Sequence, residues 1–267
     1  MMSDLEHDEQ TLQVERSAAA AWPAGRTETA AGWLLRHTPG VPRRRSNSAL
    51  PPAPDRHPER ALDRVEGFYH AAGLPVTVQV SPVERHAALD AALVARGYRR
   101  EAPTLVLTAP VAAVLALHDA SVVPGAAAPA RPVVIESGAG TGWLAAYQAL
   151  NGPADTSAVA GSVVARVPAP TGFARLAVDG RDVAIGLFVA DGEWTGVFCM
   201  ATDPRYRRRG LALAVLGAGA RWAAARGCAG LYLQVEQDNI AARYLYARAA
   251  FTHSHSYHYR VSDTPSS

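Results

Sequence analysis

No lysine occurs in the 267 residues: the 26 basic side chains are all arginine, set against 24 acids, for a formal charge of +2. So even a balance gives no general polyanion-binding surface, and any basic function has to be local. Cysteine is nearly absent too. Cys199 and Cys228 sit in apolar surroundings, matching neither a disulfide framework nor a metal knuckle. No apolar run approaches the ~20 residues of a bilayer span. The opening "MMSDLEHDEQ" lacks the basic-then-apolar order of a signal peptide. These absences argue against membrane, secreted and metal-knuckle classes, and a reducing, cytoplasmic setting is expected.

What is present divides at "SVVPGAAAPARP", residues 121–132, a Pro/Ala/Gly stretch without amphipathic period that reads as a linker. Residues 1–11 and 262–267 are polar and expected to be disordered, leaving domains at 12–120 and 133–261. The second half predicts a strand at "PVVIES" and a helix through "WLAAYQALNG". Three strands over 171–202 follow, turned at Asp179-Gly180 and Asp191-Gly192. "GLYLQVEQD" alternates Leu231, Leu233 and Val235 against Tyr232, Gln234 and Glu236, the pattern of a strand between two different surroundings. A helix capped by Asp238 or Asn239 and a final strand "THSHSYHYRV" complete the series.

A faint repeat relates "LPVTVQVSPVERHAALDAALVARGYRRE" to "GLYLQVEQDNIAARYLYARAAFTHS". Setting Tyr98 opposite Phe251 puts Leu93 opposite Tyr246. In the first half, "AAGWLLRHTPGVPRRRSNSALPP" predicts a hairpin around Pro39-Gly40, with "PRRRSNS" a polar strand facing solvent or the domain interface. Residues 59–73 predict an amphipathic helix ended by Gly73.

The densest charge lies in "DPRYRRRGLALAVLGAGARW". Arg205, Arg207, Arg208 and Arg209 crowd the start of an Ala/Leu helix, the end where the macrodipole disfavours cations. A bound anion reverses that cost, because free helix N–H groups and guanidinium groups converge on it. Gly210 and Ala212 leave the main chain open to phosphate oxygens, so a di- or polyphosphate is the expected ligand. Interleaved aromatics for nucleic acid are missing. "GAGTG", Gly138–Gly142, lacks an acidic partner and reads as a loop.

Arg207-x-x-Gly210-x-Ala212 after a strand and Asp-Pro resembles the pyrophosphate loop of the GNAT superfamily of N-acetyltransferases. Asn239, Ala242, Leu245, Tyr246 and Phe251 are similar, in order and spacing, to that family's second motif. The resemblance covers about residues 133–260, and Ala250 stands where the family usually has glycine. It implies an α/β (α+β) GNAT fold, a mixed, mostly antiparallel sheet flanked by helices, here as two tandem GNAT-like domains with a degenerate first copy. It implies a strand splaying at Cys199, Met200, Ala201 and Thr202 to pair with the pantetheine arm. Backbone N–H groups over Arg207, Arg208, Arg209, Gly210, Leu211, Ala212 and Leu213 would hold the pyrophosphate. Asn239 would contact pantetheine, and Tyr246 would act as general acid towards the departing thiolate. The donor implied is acetyl-CoA or another acyl-CoA.

Seven residues separate Asn239 from Tyr246, two turns on one helix face, so both can address one ligand. A phenol of pKa ~10 keeps its proton at neutral pH. Gln234 occupies the position where related enzymes often carry a glutamate base. Glu236, two residues on, is the first candidate base, through water, and Glu193 the second. His253 and His255 share a strand face, but no carboxylate or cysteine of ligand spacing joins them, so no metal is expected. Arg205 is a candidate for the cofactor's 3′-phosphate, and Arg44 or Asn47 for a substrate contact.

The expected activity is acetyl transfer from acetyl-CoA to a primary amine of a small molecule, by direct attack in a ternary complex. The alternatives are a longer acyl-CoA or acyl carrier protein as donor, with the arginine cluster as the carrier's docking site, or a non-catalytic acyl-CoA sensor. No nucleic acid or membrane partner is expected.

Overall fold

Two short strands, β4 (Thr77–Val80) and β10 (Gly230–Glu236), carry the same Gln-Val pair and occupy matching places in one sheet. The computed structural model describes residues 4–54, 59–120, 132–151 and 163–263. Around β4 the first half contributes α1 (Asp4–Ala21), β1 (Arg26–Ala30), β2 (Trp33–His37), β3 (Ala49–Leu50), α2 (Glu59–His70), α3 (Ala87–Ala95), β5 (Arg99–Pro110) and α4 (Val111–Ala120). The second half contributes β6 (Val134–Glu136), α5 (Thr141–Asn151), β7 (Thr171–Val178), β8 (Arg181–Asp191), β9 (Trp194–Thr202), α6 (Leu211–Ala224), α7 (Ile240–Arg248) and β11 (Thr252–Val261).

The described strands form one eleven-stranded sheet in the order β1-β2-β3-β4-β11-β5-β10-β9-β8-β7-β6. Its centre is an exchange. Strand β5 of the first half pairs with β10 of the second, from Gly230↔Pro110 to Glu236↔Thr104. Strand β11 returns the exchange by pairing with β4, from His258↔Val80 to Val261↔Thr77. The two visiting strands pair with each other, so β4-β11-β5-β10 reads alike from both ends. The repeat in the sequence is thus a structural one, and the two units expected at 12–120 and 133–261 share a single sheet. Removing either half would strip a neighbour from the other half's strand and bare its hydrogen-bonding edge.

The alternation in β10 sorts the core. Leu231, Leu233 and Val235 join a cluster with Phe188, Val215, Leu216 and Phe251 under α6, while Tyr232 joins Trp22, Trp143, Phe198 and Tyr257 on the opposite face. Helix α6 lies close to the sheet because of its small residues. A Cβ on Gly219 would come within 2.0 Å of the Phe188 ring, so only glycine permits that approach. A third cluster, with Leu62, Tyr69, Val78 and Leu93, fills the first half.

Several expectations are corrected. Helix α1 begins at Asp4, inside the segment read as disordered over 1–11. Val14, Ala18 and Ala21 recur at helical spacing and are buried, and a helix anchored on that stripe extends towards its N-terminus. Ser262, assigned to a loose tail, exchanges two 2.9 Å hydrogen bonds with the Val76 main chain. Residues 121–131 of the linker, residues 1–3 and residues 264–267 lie outside the described residues. The tight turn of the first hairpin falls at Ala31-Gly32, both left-handed at φ +50° and +81°. Proline cannot adopt the first of those angles, so Pro39-Gly40 instead forms a turn closed by Val41 N–H to Thr38 C=O at 3.2 Å, between β2 and β3.

Candidate active site

Strands β9 and β10 run parallel but pair only at Gly230↔Trp194, Leu231↔Thr195 and Tyr232↔Gly196. Beyond that they separate. A bulge in β9 drives the separation: Ile185↔Ala201 and Leu187↔Phe198 leave Cys199 and Met200 opposite the single residue Gly186, with Cys199 at φ +52°. Bulges bend their strand, and a non-glycine residue held at positive φ marks a place where the surroundings impose the backbone. Over Cys199, Met200, Ala201 and Thr202, β9 therefore has no strand partner on the β10 side among the described residues.

Past Thr202 the chain makes a single short 3₁₀ turn at Pro204–Tyr206, capped by Asp203, whose Oδ1 accepts from Arg205 N–H at 3.0 Å. Arg205 folds back onto the same carboxylate, Nη2 to Oδ2 at 2.8 Å, and Arg181 approaches at 3.6 Å. The hydrogen bonds from Arg205 hold the Asp203 carboxyl down at about 2. Arg205, a candidate phosphate contact on sequence, is thus engaged locally. Arg207, Arg208 and Arg209 are exposed. Arg207 Nε reaches Thr202 C=O at 3.4 Å, and Arg209 lies 5.1 Å from the Tyr206 ring centre. Arg208 at φ +62° and Gly210 at φ +78° swing the chain into α6. A Cβ on Gly210 would touch nothing, so its backbone angle, not room, calls for glycine. The first helical bond within α6 runs from Ala214 N–H to Gly210 C=O, leaving the N–H groups of Leu211, Ala212 and Leu213 to the anion-favouring end of a fourteen-residue helix.

On the far bank of the opening, Asn239 caps α7 by accepting from Ala242 N–H at 3.1 Å. Tyr246 lies two turns along, buried, edge-on to Phe251 at 5.8 Å. Burial pushes its hydroxyl up to about 12. Tyr244 is 57% exposed and points away. Ala250, after the helix, sits at φ +65°, so the departure from the family's glycine places an alanine in a left-handed position.

The gap is a cleft of about 450 Å³ that passes through the sheet. Met200, Ala242 and Tyr246 line its α6/α7 side, and Trp22, Tyr147, Phe198, Tyr257 and Tyr259 its α1/α5 side. Gln234 accepts from the Tyr257 hydroxyl at 3.2 Å. Glu236 lines the cleft and is exposed. Glu193, the second candidate base, does not: it borders a separate recess with Trp194 and Gly230, at the opposite end of these strands. Burial pushes the Cys199 thiol up to about 12, with Arg45 and Arg43 pulling the other way. It therefore stays protonated and a poor nucleophile.

The two histidines of "THSHSYHYR" do not act together. A bulge between His253 and His255 breaks the alternation that would put them on one face. His253 is exposed and bonds Ser256, whereas His255 is buried and bonds Glu15 Oε1 at 2.8 Å.

Of the far wall, sequence reasoning named only Arg44. "PRRRSNS" is no strand: Arg44–Ser46 form a 3₁₀ turn that brings Arg43, Arg44 and Arg45 to the cleft from the first half. Asn47 braces this loop, donating to Val41 C=O at 2.6 Å and accepting from Thr38 N–H at 2.8 Å, and does not face the cleft. Arg44 pairs with Glu101, Nε to Oε2 at 2.9 Å. Arg45 is half-buried with its guanidinium 5.9 Å from the Phe198 ring centre. The signal for these residues was the arginine triplet itself.

A family model described as "Probable histone acetyltransferase Rv0428c C-terminal" matches residues 10–260. The Bacillus subtilis (strain 168) protein named "Uncharacterized N-acetyltransferase YobR" is 27% identical over 251 residues, 93% of this chain and 97% of its own. A mycothiol acetyltransferase of Clavibacter michiganensis subsp. michiganensis is 41% identical over 73 residues, only 27% of this chain and 24% of the relative. Among solved structures, a GCN5-related N-acetyltransferase from Kribbella flavida superposes with a TM-score of 0.67 at 16% identity, covering 97% of this chain and 95% of that one. A tandem GNAT protein from the clavulanic acid biosynthesis pathway gives 0.63 at 13% identity, covering 98% and 94%. At such identities the superpositions establish the fold.

Proposed function

This chain belongs to the GNAT superfamily of N-acetyltransferases, within the family of the Rv0428c C-terminal domain, and from that premise we propose that it moves an acetyl group from acetyl-CoA to the primary amine of a small molecule. One observation carries the reading: the open seam between β9 and β10 ends at the exposed start of α6 and is flanked by Tyr246. A pantetheine-like arm needs main-chain groups to pair with, and Cys199 to Thr202 supply an edge free of β10. A pyrophosphate needs converging N–H donors, and the turn from Arg208 to Leu213 supplies them beside three exposed arginines. The cleft volume lies in the range typical of small-molecule sites.

Acetyl-CoA supplies a thioester carbonyl, to which the amine nitrogen adds while the carbon–sulfur bond breaks. N–H groups of the splayed β9 segment stand ready for the carbonyl oxygen as charge develops there. Tyr246 keeps its proton at neutral pH and gives it to the leaving sulfur. Glu236 takes the amine's proton through water. Asn239 retains its side-chain N–H₂ for the arm, its oxygen being spent on the cap. The raised Cys199 thiol favours direct transfer to the amine over an acetyl-cysteine stage.

The test is thiol release from acetyl-CoA across a panel of small amines and a lysine-rich peptide, the peptide included because the family description names a histone acetyltransferase. Turnover with small amines is expected. Turnover confined to the peptide would overturn the small-molecule assignment, and release with no acceptor consumed would overturn the transferase reading.

A further inference from the structure

We infer that the acceptor amine also carries an anionic oxygen group, a carboxylate or a phosphate, and that Arg45 is the side chain that selects it; this rests on the acetyltransferase reading above. The inference starts from how this protein treats its other enclosed arginines. Arg36, 2% exposed, donates to Ser48 C=O at 3.0 Å, Ser48 Oγ at 2.8 Å and Gln79 Oε1 at 2.8 Å, with the Glu15 carboxylate behind that amide at 3.3 Å. Arg260 grips both oxygens of Asp90 at 2.7 and 2.9 Å. Arg175 meets Asp182 at 3.2 Å and Glu136 at 3.3 Å. Arg45 differs from these three in lining the cleft: it is half-buried there, and among the described residues no carboxylate is found at ion-pair distance from it. Its surroundings are the Phe198 ring and the tyrosine hydroxyls of Tyr257 and Tyr259.

A partly desolvated guanidinium that tyrosine hydroxyls hold in its charged form, with no carboxylate opposite, leaves its planar fork free to take two ligand oxygens at once. The loop that carries it is held rigid. Arg44 is tied to Glu101 on β5, Trp22 donates to Ser46 Oγ at 3.2 Å, and Asn47 bonds Val41, Arg43 and Thr38. Arg45 is therefore presented in advance and not recruited by closure. It stands on the α1/α5 side of the cleft, across the sheet opening from Tyr246, where an acceptor would enter. Aromatic walls there suit a flat apolar body between amine and anion. A lysine-rich chain would meet Arg43 and Arg45 as like charges.

Four acceptors of matched shape test this with saturating acetyl-CoA: 4-(aminomethyl)benzoate, 4-(aminomethyl)phenyl phosphate, the uncharged 4-(aminomethyl)benzamide, and a lysine-rich peptide. The expected result is a kcat/KM for one of the anions at least ten-fold above the amide, carried by KM. Which anion leads identifies the group. In Arg45→Gln that ratio falls towards one, and Arg45→Lys keeps part of it. An undiminished thermal shift with coenzyme A shows that the variants remain folded. Equal efficiency for acid, phosphate and amide in the wild type overturns the inference alone. So does a uniform loss of kcat on every amine in Arg45→Gln, which would make Arg45 part of the acetyl-transfer step. Absence of thiol release with any acceptor overturns the transferase reading, and the inference falls with it.

Discussion

Tyr257 donates its hydroxyl hydrogen to Gln234 Oε1 at 3.2 Å, tying the last strand of the chain to the strand that borders the cleft. An amide in that place orients a neighbour but cannot take a proton, which leaves Glu236 as the carboxylate lining the cleft. Glu236→Gln is expected to lower kcat/KM at neutral pH by about 10²-fold, as loss of a general base typically does. Adding Gln234→Glu to that variant should restore part of the rate by returning a carboxylate to the cleft two residues away on the same strand. An unaltered pH–rate profile in Glu236→Gln removes Glu236 from proton transfer.

Tyr246→Phe separates the leaving-group role from binding. The ring is buried against Phe251, so phenylalanine preserves the packing and deletes only the hydroxyl. A fall in kcat of about 10²-fold or more is expected, with the coenzyme A-induced thermal shift retained. Turnover equal to wild type would assign the proton to another donor.

Ala250→Gly should stabilise the protein. Ala250 is held at φ +65°, and relieving a left-handed alanine is worth about 1 kcal/mol, or roughly 2–4 °C in Tm for a chain of this size. The family motif pointed to this position but not to its geometry: whether a helix exit needs positive φ depends on how the following strand is caught, and β11 is caught by β5 from the other half.

The same distance limits explain what else was legible. The arginine-to-glycine turn, the Asn239 cap and the strand alternation of Leu231, Leu233 and Val235 are local patterns, and each fell where its spacing indicated. The splay of β9 was expected from the resemblance, though not the bulge at Cys199 that produces it. Of the far wall of the cleft, only Arg44 was legible. Arg45 and Phe198 are far apart in sequence and meet where the two halves face each other across the cleft, which no local pattern encodes. The bulge at Ser254 likewise parts His253 from His255 against a clean alternation.

Asp203 links the loop to pH. Its carboxyl is lowered from the ordinary 3.8 to about 2, chiefly by the Arg205 side chain. A depressed folded-state value means that the stabilisation is complete above about pH 4 and drains away as pH falls towards 2. Asp203→Asn should therefore show a lower Tm than wild type at neutral pH, and the two curves should converge across that acid window. Parallel curves from pH 6 down to 2 would show that the ion pair contributes nothing to folding.

Arg208→Asn addresses why cations crowd the positive end of α6. Arg208 is exposed and left-handed at φ +62°, an angle asparagine tolerates, so the change removes charge without adding strain. In the free protein the cation opposes the helix dipole at a cost of a few tenths of a kcal/mol to about 1. On the proposed reading, coenzyme A brings phosphate to the same cation and makes it favourable. The variant should thus move two quantities in opposite directions: Tm without ligand rises slightly, and the gain on adding ligand shrinks. For the wild type, ligand at a hundred times Kd contributes about 2.7 kcal/mol, or roughly 5–10 °C. Added salt should reduce the wild-type gain more than the variant's, because one exposed charge fewer is left to screen. A variant that loses stability in both states, or keeps the full ligand gain, would show that the arginine is not held in reserve for an anion.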